Sequence, residues 1–345
     1  MATVPLSDSK GAPAERGRPG RSAPILVATD GEPRSDGAIE LAFALAGATG
    51  ASIHVLAAVR PVPSGPPDLG SSIQLTAEAL EGTAGLRYRV DAQLRRLGRR
   101  GLARRMTTDV RIGEAPSLIV SAARAIGARL ILLGTAEPDV LHRLCGADTA
   151  ARVVRAADVP VMVVPRGCAH LPESALIAVD FSDVSVAAGR AALTLFPDVD
   201  VVHLVHVAPP PQPALELFAS SERRHVETAE EAFNAVRDAL PLSACMVVGR
   251  EVARGSPARE LLRVARERRV DLIVAGSHGR GAFQRLLVGS VATTLLRAAR
   301  VPVLILPARA ASGDPAARTQ AASVPSRYVL TSRRVASVGE TLTDR

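Results

Sequence analysis

The chain is written twice, and this duplication constrains its fold more than any other feature. "PILVATDGEPRSDGAIELAFALAGATGASIHVLAAV", Pro24 to Val59, returns as "ALIAVDFSDVSVAAGRAALTLFPDVDVVHLVHV", Ala175 to Val207, with Asp30 matching Asp180. Further on, "ARLILLGTAEPDVLHRLCGADTAARVVRAADVPVMVVP" matches "VDLIVAGSHGRGAFQRLLVGSVATTLLRAARVPVLILP" without a gap, so that Gly134 falls on Gly276. A repeated unit sets domain boundaries directly: one domain over residues 23–165 and a second over 174–307. Within each, short apolar runs alternate with segments of helical period, the pattern of a parallel sheet covered by helices. In the second unit the strands are expected at "ALIAVD", "VVHLVHV", "MVVGREVARG", "VDLIVAG" and "VPVLILP". The expected class is therefore α/β, two tandem open five-stranded parallel sheets. "VPVMVVP" and "VPVLILP" are uncharged strands bounded by prolines, prone to pairing if left as exposed edges; in a tandem chain they can pair with each other. Residues 1–22 and 308–345, rich in Ser, Ala, Arg, Gly and Pro without periodicity, read as disordered tails.

The formal charge of +8 invites a nucleic-acid reading, but its location argues otherwise. Residues 1–22 hold four basic and two acidic side chains and residues 308–345 six and three, so the tails carry most of the excess. The densest basic stretch in the globular part, "RRLGRRGLARR" at 95–105, has no aromatic beside it to stack on a base, and reads as a solvated helix end. A single lysine, Lys10, excludes more chemistry than any other count. A Walker A loop, a protein-kinase strand lysine and a Schiff-base amine all need one inside the fold. Cys145, Cys168 and Cys245 lack CxxC spacing, against both a disulfide framework and a zinc site, and fit a reducing compartment. The opening residues lack the apolar stretch of a signal peptide, and no apolar run approaches the roughly 20 residues that cross a bilayer. The expectation is a soluble, cytoplasmic protein without membrane contact.

Candidate binding residues gather where the second unit's first and fourth strands end. Ligands of open parallel sheets bind beyond the carboxyl ends of the strands, at the point where connections leave in opposite directions. Asp180 closes the first strand and Gly276 the fourth; if these strands are neighbours, carboxylate and glycine loop face one crevice. Gly276 and Gly279 would permit positive φ and let backbone amides approach an anion. Gly289 would keep the following helix start clear, and Ser290 would be its N-cap, so that free amides and the helix dipole aim at phosphate oxygens.

With the spacing Gly276, Gly279, Gly289, Ser290, the following "VATTLLRAARVPVLIL" and the opening "IAVDFSDVS", the second repeat resembles the universal stress protein family in its nucleotide-binding form, and since both repeats are covered the chain resembles a tandem member. That resemblance implies a Rossmann-like, adenine nucleotide alpha hydrolase-like fold. It also implies a pseudo-twofold dimer inside one chain, further homodimer formation being left open. It implies ATP, with or without Mg2+, in the second repeat. Asp180 would lie near the adenine and ribose, Val207 beside the base, and Gly276, His278, Gly279, Gly289, Ser290 and Val291 around ribose and phosphates, with Arg280 in reach of a phosphate. Binding without a P-loop lysine would rest on amides and hydroxyls, which suits holding a nucleotide more than cleaving it. The first repeat departs from the pattern: Gly134 remains, but Glu137, Ala147 and Asp148 stand where the second has Gly279, Gly289 and Ser290. Carboxylates at a phosphate site repel the ligand, so the first unit reads as keeping the fold and losing the nucleotide, Asp30 retaining a structural role.

Plainer readings stand beside these. Asp180 could cap the "DFSD" turn, and the glycines could shape a turn. His203 and His206, three apart on a strand, point to opposite faces and cannot chelate together. His142 and Cys145 lack the further ligands a metal site needs. His278 has no acid or nucleophile placed to form a triad, and no GxSxG occurs. The expectation is a non-enzymatic, nucleotide-dependent sensor or adaptor in stress response, with an unidentified protein partner and no catalytic or metal-ligating residues. The alternatives are a slow ATPase or phosphotransferase using the same pocket, with Asp180 or His278 as base, and a nucleotide-free interaction module.

Overall fold

A computed structural model describes residues 23–60, 69–98, 105–135, 146–208, 220–279 and 288–312. The first repeat runs β1 (Ile25–Thr29), a 3-10 turn (Pro33–Ser35), α1 (Asp36–Thr49), β2 (Ile53–Val59), α2 (Leu69–Leu97), β3 (Met106–Ile112), α3 (Ala115–Ile126), β4 (Leu130–Gly134), α4 (Gly146–Ala156) and β5 (Val161–Val164). The second repeats the order: β6 (Ser174–Ala178), α5 (Asp183–Leu195), β7 (Val201–Ala208), α6 (Ser220–Ala239), β8 (Val247–Arg254), α7 (Pro257–Glu267), β9 (Leu272–Gly276), α8 (Ser290–Ala298) and β10 (Val303–Leu306). A short α9 (Ala308–Ser312) follows.

The ten strands form one sheet in the order β3-β2-β1-β4-β5-β10-β9-β6-β7-β8. Each half is parallel within itself, as the alternation of apolar runs and helices requires. The halves join through the one antiparallel pair, β5 with β10, in the register Val161↔Ile305, Met162↔Leu304 and Val163↔Val303. Pro160 and Pro165 on one strand and Pro302 and Pro307 on the other bracket this ladder, because proline cannot donate to it. Each closes a strand that would otherwise be an exposed apolar edge, and the antiparallel contact relates the repeats as a pseudo-twofold pair. The outer edges, β3 and β8, are only partly buried and carry charges such as Asp109, Arg111, Arg250 and Glu251, which discourages further edge pairing.

Central strands are buried on both faces because helices cover both. Residues of α1, α2, α5 and α6 pack on one side around Ile25, Val27, Leu132, Ile177 and Val274. Those of α3, α4, α7 and α8 pack on the other around Leu26, Ile131, Leu176 and Ile273. The helix α7 shows why: Ala258, Leu261, Val264 and Ala265 share its buried face, and Glu260, Arg263 and Glu267 form ion pairs outside it. No described helix is long and apolar enough to cross a membrane.

The stretch 308–345 was expected to be unstructured from its first residue. Instead Ala308–Ser312 forms a helical turn, started by the Pro307 carbonyl accepting from the amides of Ala310 and Ala311. Ala310 and Ala311 pack on the core beside α5; alanines fit because small side chains allow close approach. Residues 1–22 and 313–345 lie outside the described residues, as do His142, Cys145, Glu137 and Arg280.

Candidate functional site

In both repeats the first and fourth strands are neighbours: β1 pairs with β4 and β6 with β9. From β6 the chain leaves through α5 toward β7 on one face, and from β9 through α8 toward β10 on the other. A crevice therefore opens at their carboxyl ends.

Asp180 stands at its lip, two residues beyond β6. Its Oδ1 accepts from the Ser182 amide at 3.0 Å and the Ser182 hydroxyl at 2.5 Å. Ser182 in turn N-caps α5, accepting from the Ser185 amide. The turn-capping role thus holds for one oxygen. The other, Oδ2, faces the glycine loop: a Cβ on Gly279 would sit 2.7 Å from it. Capping and presentation toward the crevice coexist in one carboxylate.

The glycines are required for room, not for conformation. None of Gly276, Gly279 and Gly289 is among the residues with positive φ, which corrects the expectation for Gly276 and Gly279. A Cβ on Gly276 would lie 2.8 Å from Val184 Cγ1, and one on Gly289 3.1 Å from the Ser277 carbonyl oxygen. Helix α8 also starts differently from the expectation. Gly289 is its N-cap, with φ −58° and ψ 151°, and Ser290 is the exposed first helical residue. The Gly289 amide donates to Ser277 O at 2.8 Å and its carbonyl accepts from Thr293 at 3.0 Å. No side chain caps this end, so the first-turn amides of Ser290 and Val291, which lack intrahelical acceptors, point out of the helix start. The Val291 side chain packs on the core, as does that of Val207 near the end of β7.

His278 lies in the same loop. Its Nδ1 is 2.9 Å from Ser277 Oγ, while Nε2 is shielded from solvent and has no hydrogen-bond partner among the described residues. Burial pushes the imidazole below its usual value, so it is neutral at neutral pH. Of the other histidines, His203 rests against Gly249 on the α7 face, and His206 packs at 4.7 Å on the ring of Phe181 on the opposite face. Their side chains therefore diverge, as the strand period requires.

Sequence reasoning missed two residues here. Ser277, 1% exposed, is bonded through its amide to Leu306 O, through its carbonyl to Gly289 N, and through its hydroxyl to His278 and the Ala308 amide. A hydroxyl residue also follows the strand-four glycine in the first repeat, Thr135, whose amide bonds Val164 O in the same way; that recurrence was the available signal. Phe181 adopts φ 61°, uncommon for a bulky residue. It is held there by ring contacts with His206 and with Phe233 at 5.3 Å. The first repeat has Gly31 at this place, with φ 79°.

The same strand ends in the first repeat carry a different set of contacts. Asp30 pairs with Arg34, whose counterpart in the second repeat is Val184. The 3-10 turn presses on Gly134, where a Cβ would meet Arg34 O at 2.5 Å and Ser35 Cα at 2.6 Å. Buried Gln93 ties α2 down over this turn, donating to Glu32 O, Ser35 Oγ and Asp36 Oδ1 and accepting from Thr29. Arg96 adds a two-bonded contact to Asp36. Ala147 and Asp148 fall in the first turn of α4.

Comparison with known proteins agrees with this architecture. The model of the universal stress protein family matches residues 22–165 and again 173–307. A universal stress protein of Mycobacterium tuberculosis is 29% identical over 197 residues, 52% of this chain and 61% of its own length. The chain thus spans about three fifths of that relative. Another, from Mycobacterium bovis, is 28% identical over 306 residues, covering 81% of this chain and 94% of its own. A crystal structure of a universal stress protein from Archaeoglobus fulgidus shares the fold, with a TM-score of 0.54 at 18% identity over 83% of this chain and 97% of that one. Two matched repeats, each a five-stranded parallel layer joined to its copy through the fifth strands, make this chain a tandem member of the universal stress protein family.

Proposed function

We propose that the second repeat binds ATP and that the protein works as a nucleotide-dependent sensor or adaptor in stress response, the first repeat serving as a fixed partner domain. One observation carries the reading. Across the β6/β9 crevice, a carboxylate oxygen faces the backbone of Gly279, with an uncapped helix start beside them. Asp180 Oδ2 suits the hydroxyls of a ribose or the amino edge of a base. The amides at the start of α8 suit phosphate oxygens, favoured by the positive end of the helix dipole. Gly279 and Gly289 supply the room. The neutral His278 offers one further ring nitrogen, and Val207 an apolar wall.

This set fits a nucleotide held by amides and hydroxyls. No group of three His, Cys, Asp or Glu suited to a metal occurs among the described residues, so Mg2+ would arrive on the phosphates themselves. A hydrolytic role would need a base aimed at water. Asp180 already accepts two hydrogen bonds at Oδ1, and His278 already bonds Ser277 through Nδ1, which favours retention over cleavage. In the first repeat Asp30, the counterpart of Asp180, is instead paired with Arg34, which supports reading that repeat as the one without nucleotide.

The test is calorimetric titration of ATP into the purified chain, with Ser290→Asp as control. A carboxylate at a helix start favours the helix and repels phosphate, so this variant should fold as the parent does and lose the ligand. Absence of ATP binding in the parent protein overturns the proposal.

A further inference from the structure

Ser277 makes more connections than a turn residue needs. It is almost completely buried, and its amide, carbonyl and hydroxyl tie together four segments: β10 through Leu306 O, the start of α8 through Gly289 N, the glycine loop through His278 Nδ1, and the start of α9 through Ala308 N. The hydroxyl accepts from the Ala308 amide at 2.9 Å. Its own proton then goes to the acceptor in reach, His278 Nδ1 at 2.9 Å, which leaves the ring proton on Nε2. That atom has no partner among the described residues. A hydrogen-bond chain therefore begins at an unused, solvent-shielded donor in the glycine loop and ends at the first amide of α9. A second limb runs alongside it, since α5 packs against both β9 and α9.

We propose that Ser277 is a positioning residue that couples occupancy of the second repeat's crevice to the C-terminal helix, through the chain His278 Nε2–H, Ser277 Oγ–H and Ala308 N–H. This inference rests on the nucleotide reading given above. An acceptor oxygen of the nucleotide at Nε2 completes the chain and polarises each bond in it, holding Ala308 and the α9 turn more firmly. Without it, the Ser277–Ala308 bond lacks that polarisation, and α9 rests on this bond, the Pro307 carbonyl bonds and the packing of Ala310 and Ala311. The state of the pocket is thereby passed to the point where residues 313–345 begin.

The experiment is hydrogen exchange of the full chain, read by mass spectrometry on peptides spanning residues 308–312, with and without saturating ATP. Calorimetry on the same samples reports binding separately. The expected result is that ATP slows exchange over 308–312 by about fivefold or more, the lower end of ordinary coupling between sites. Ser277→Ala should bind ATP more weakly and show no slowing once saturated. Ser277→Thr, which carries the first repeat's residue, should restore both, a rescue that loss of packing alone does not predict. If Ser277→Ala fails to fold, His278→Ala serves instead, because it keeps the Ser277–Ala308 bond and removes only the outer link. ATP that binds the parent without changing exchange over 308–312 overturns the coupling. So does slowing that survives in both alanine variants. No ATP binding in calorimetry overturns the nucleotide reading and the coupling with it, and is distinguished from the other failures by the titration itself.

Discussion

Replacing Gly279 by alanine isolates the contact on which the site depends. The new Cβ would stand 2.7 Å from Asp180 Oδ2, about half an ångström or more inside ordinary contact. Gly279 is exposed and its φ is not positive, so the backbone itself accepts alanine and the cost falls on the contact. Either the carboxylate rotates, straining its bonds to the Ser182 amide and hydroxyl, or the loop retreats from the crevice. A hydrogen bond to a charged group contributes about 1.5–3 kcal/mol, so loss of one bounds the first outcome near the upper figure. Both outcomes misplace a binding group by a similar distance. The expected result is a rise of about tenfold or more in the Kd for ATP, equivalent to about 1.4 kcal/mol, with stability lowered by no more than about 3 kcal/mol. Calorimetry gives the first quantity and urea denaturation the second. Gly47→Ala is the control: it lies exposed in α1 with no atom within 4 Å of the new Cβ. It should stabilise the protein by about 0.5–1 kcal/mol and leave affinity unchanged. A Gly279→Ala protein that binds ATP as tightly as the parent would refute the reasoning.

Four further outcomes follow from other parts of the molecule. Gln93→Ala leaves the buried Thr29, Ser35 and Asp36 groups without a shared partner and should cost about 2–4 kcal/mol in urea denaturation. Arg34→Ala, which removes a half-exposed pair, should cost under about 1 kcal/mol. Burial holds the folded-state pKa of His278, His203 and His54 below the usual value. The unfolded chain therefore binds more protons between those depressed values and about 6.5. The stability this represents is present above about pH 6.5 and lost as pH falls through the folded-state values, so the urea midpoint should be lower at pH 5.5 than at pH 7.5. Leu304→Asp places a charge at the fully buried β5–β10 seam and should cost more than about 4 kcal/mol, read as loss of the cooperative transition in circular dichroism.

The duplication made the fold legible. Apolar runs such as "LIVAG" and "VLIL" have no alternation because both faces are covered, and the paired prolines around β5 and β10 marked the seam. The candidate site could be named residue by residue from the sequence, but its geometry could not. A glycine needed for room and one needed for positive φ look alike in sequence, so Gly276 and Gly279 were assigned the wrong reason. Gly-Ser before a helical run is equally compatible with either residue as N-cap, and here Gly289 takes that place. Gln93 bonds Thr29 across 64 positions of sequence, and Ser277 bonds Ala308 across 31; contacts so distant leave no local pattern. The five residues of α9 are too few to show a helical period.

Titration of ATP with counting of sites tests the central claim most directly, namely that the later repeat alone presents a nucleotide pocket. The predicted result is one ATP per chain, lost in Ser290→Asp and Gly279→Glu and retained in Asp30→Ala. Two sites per chain, none, or a single site abolished by Asp30→Ala would contradict it.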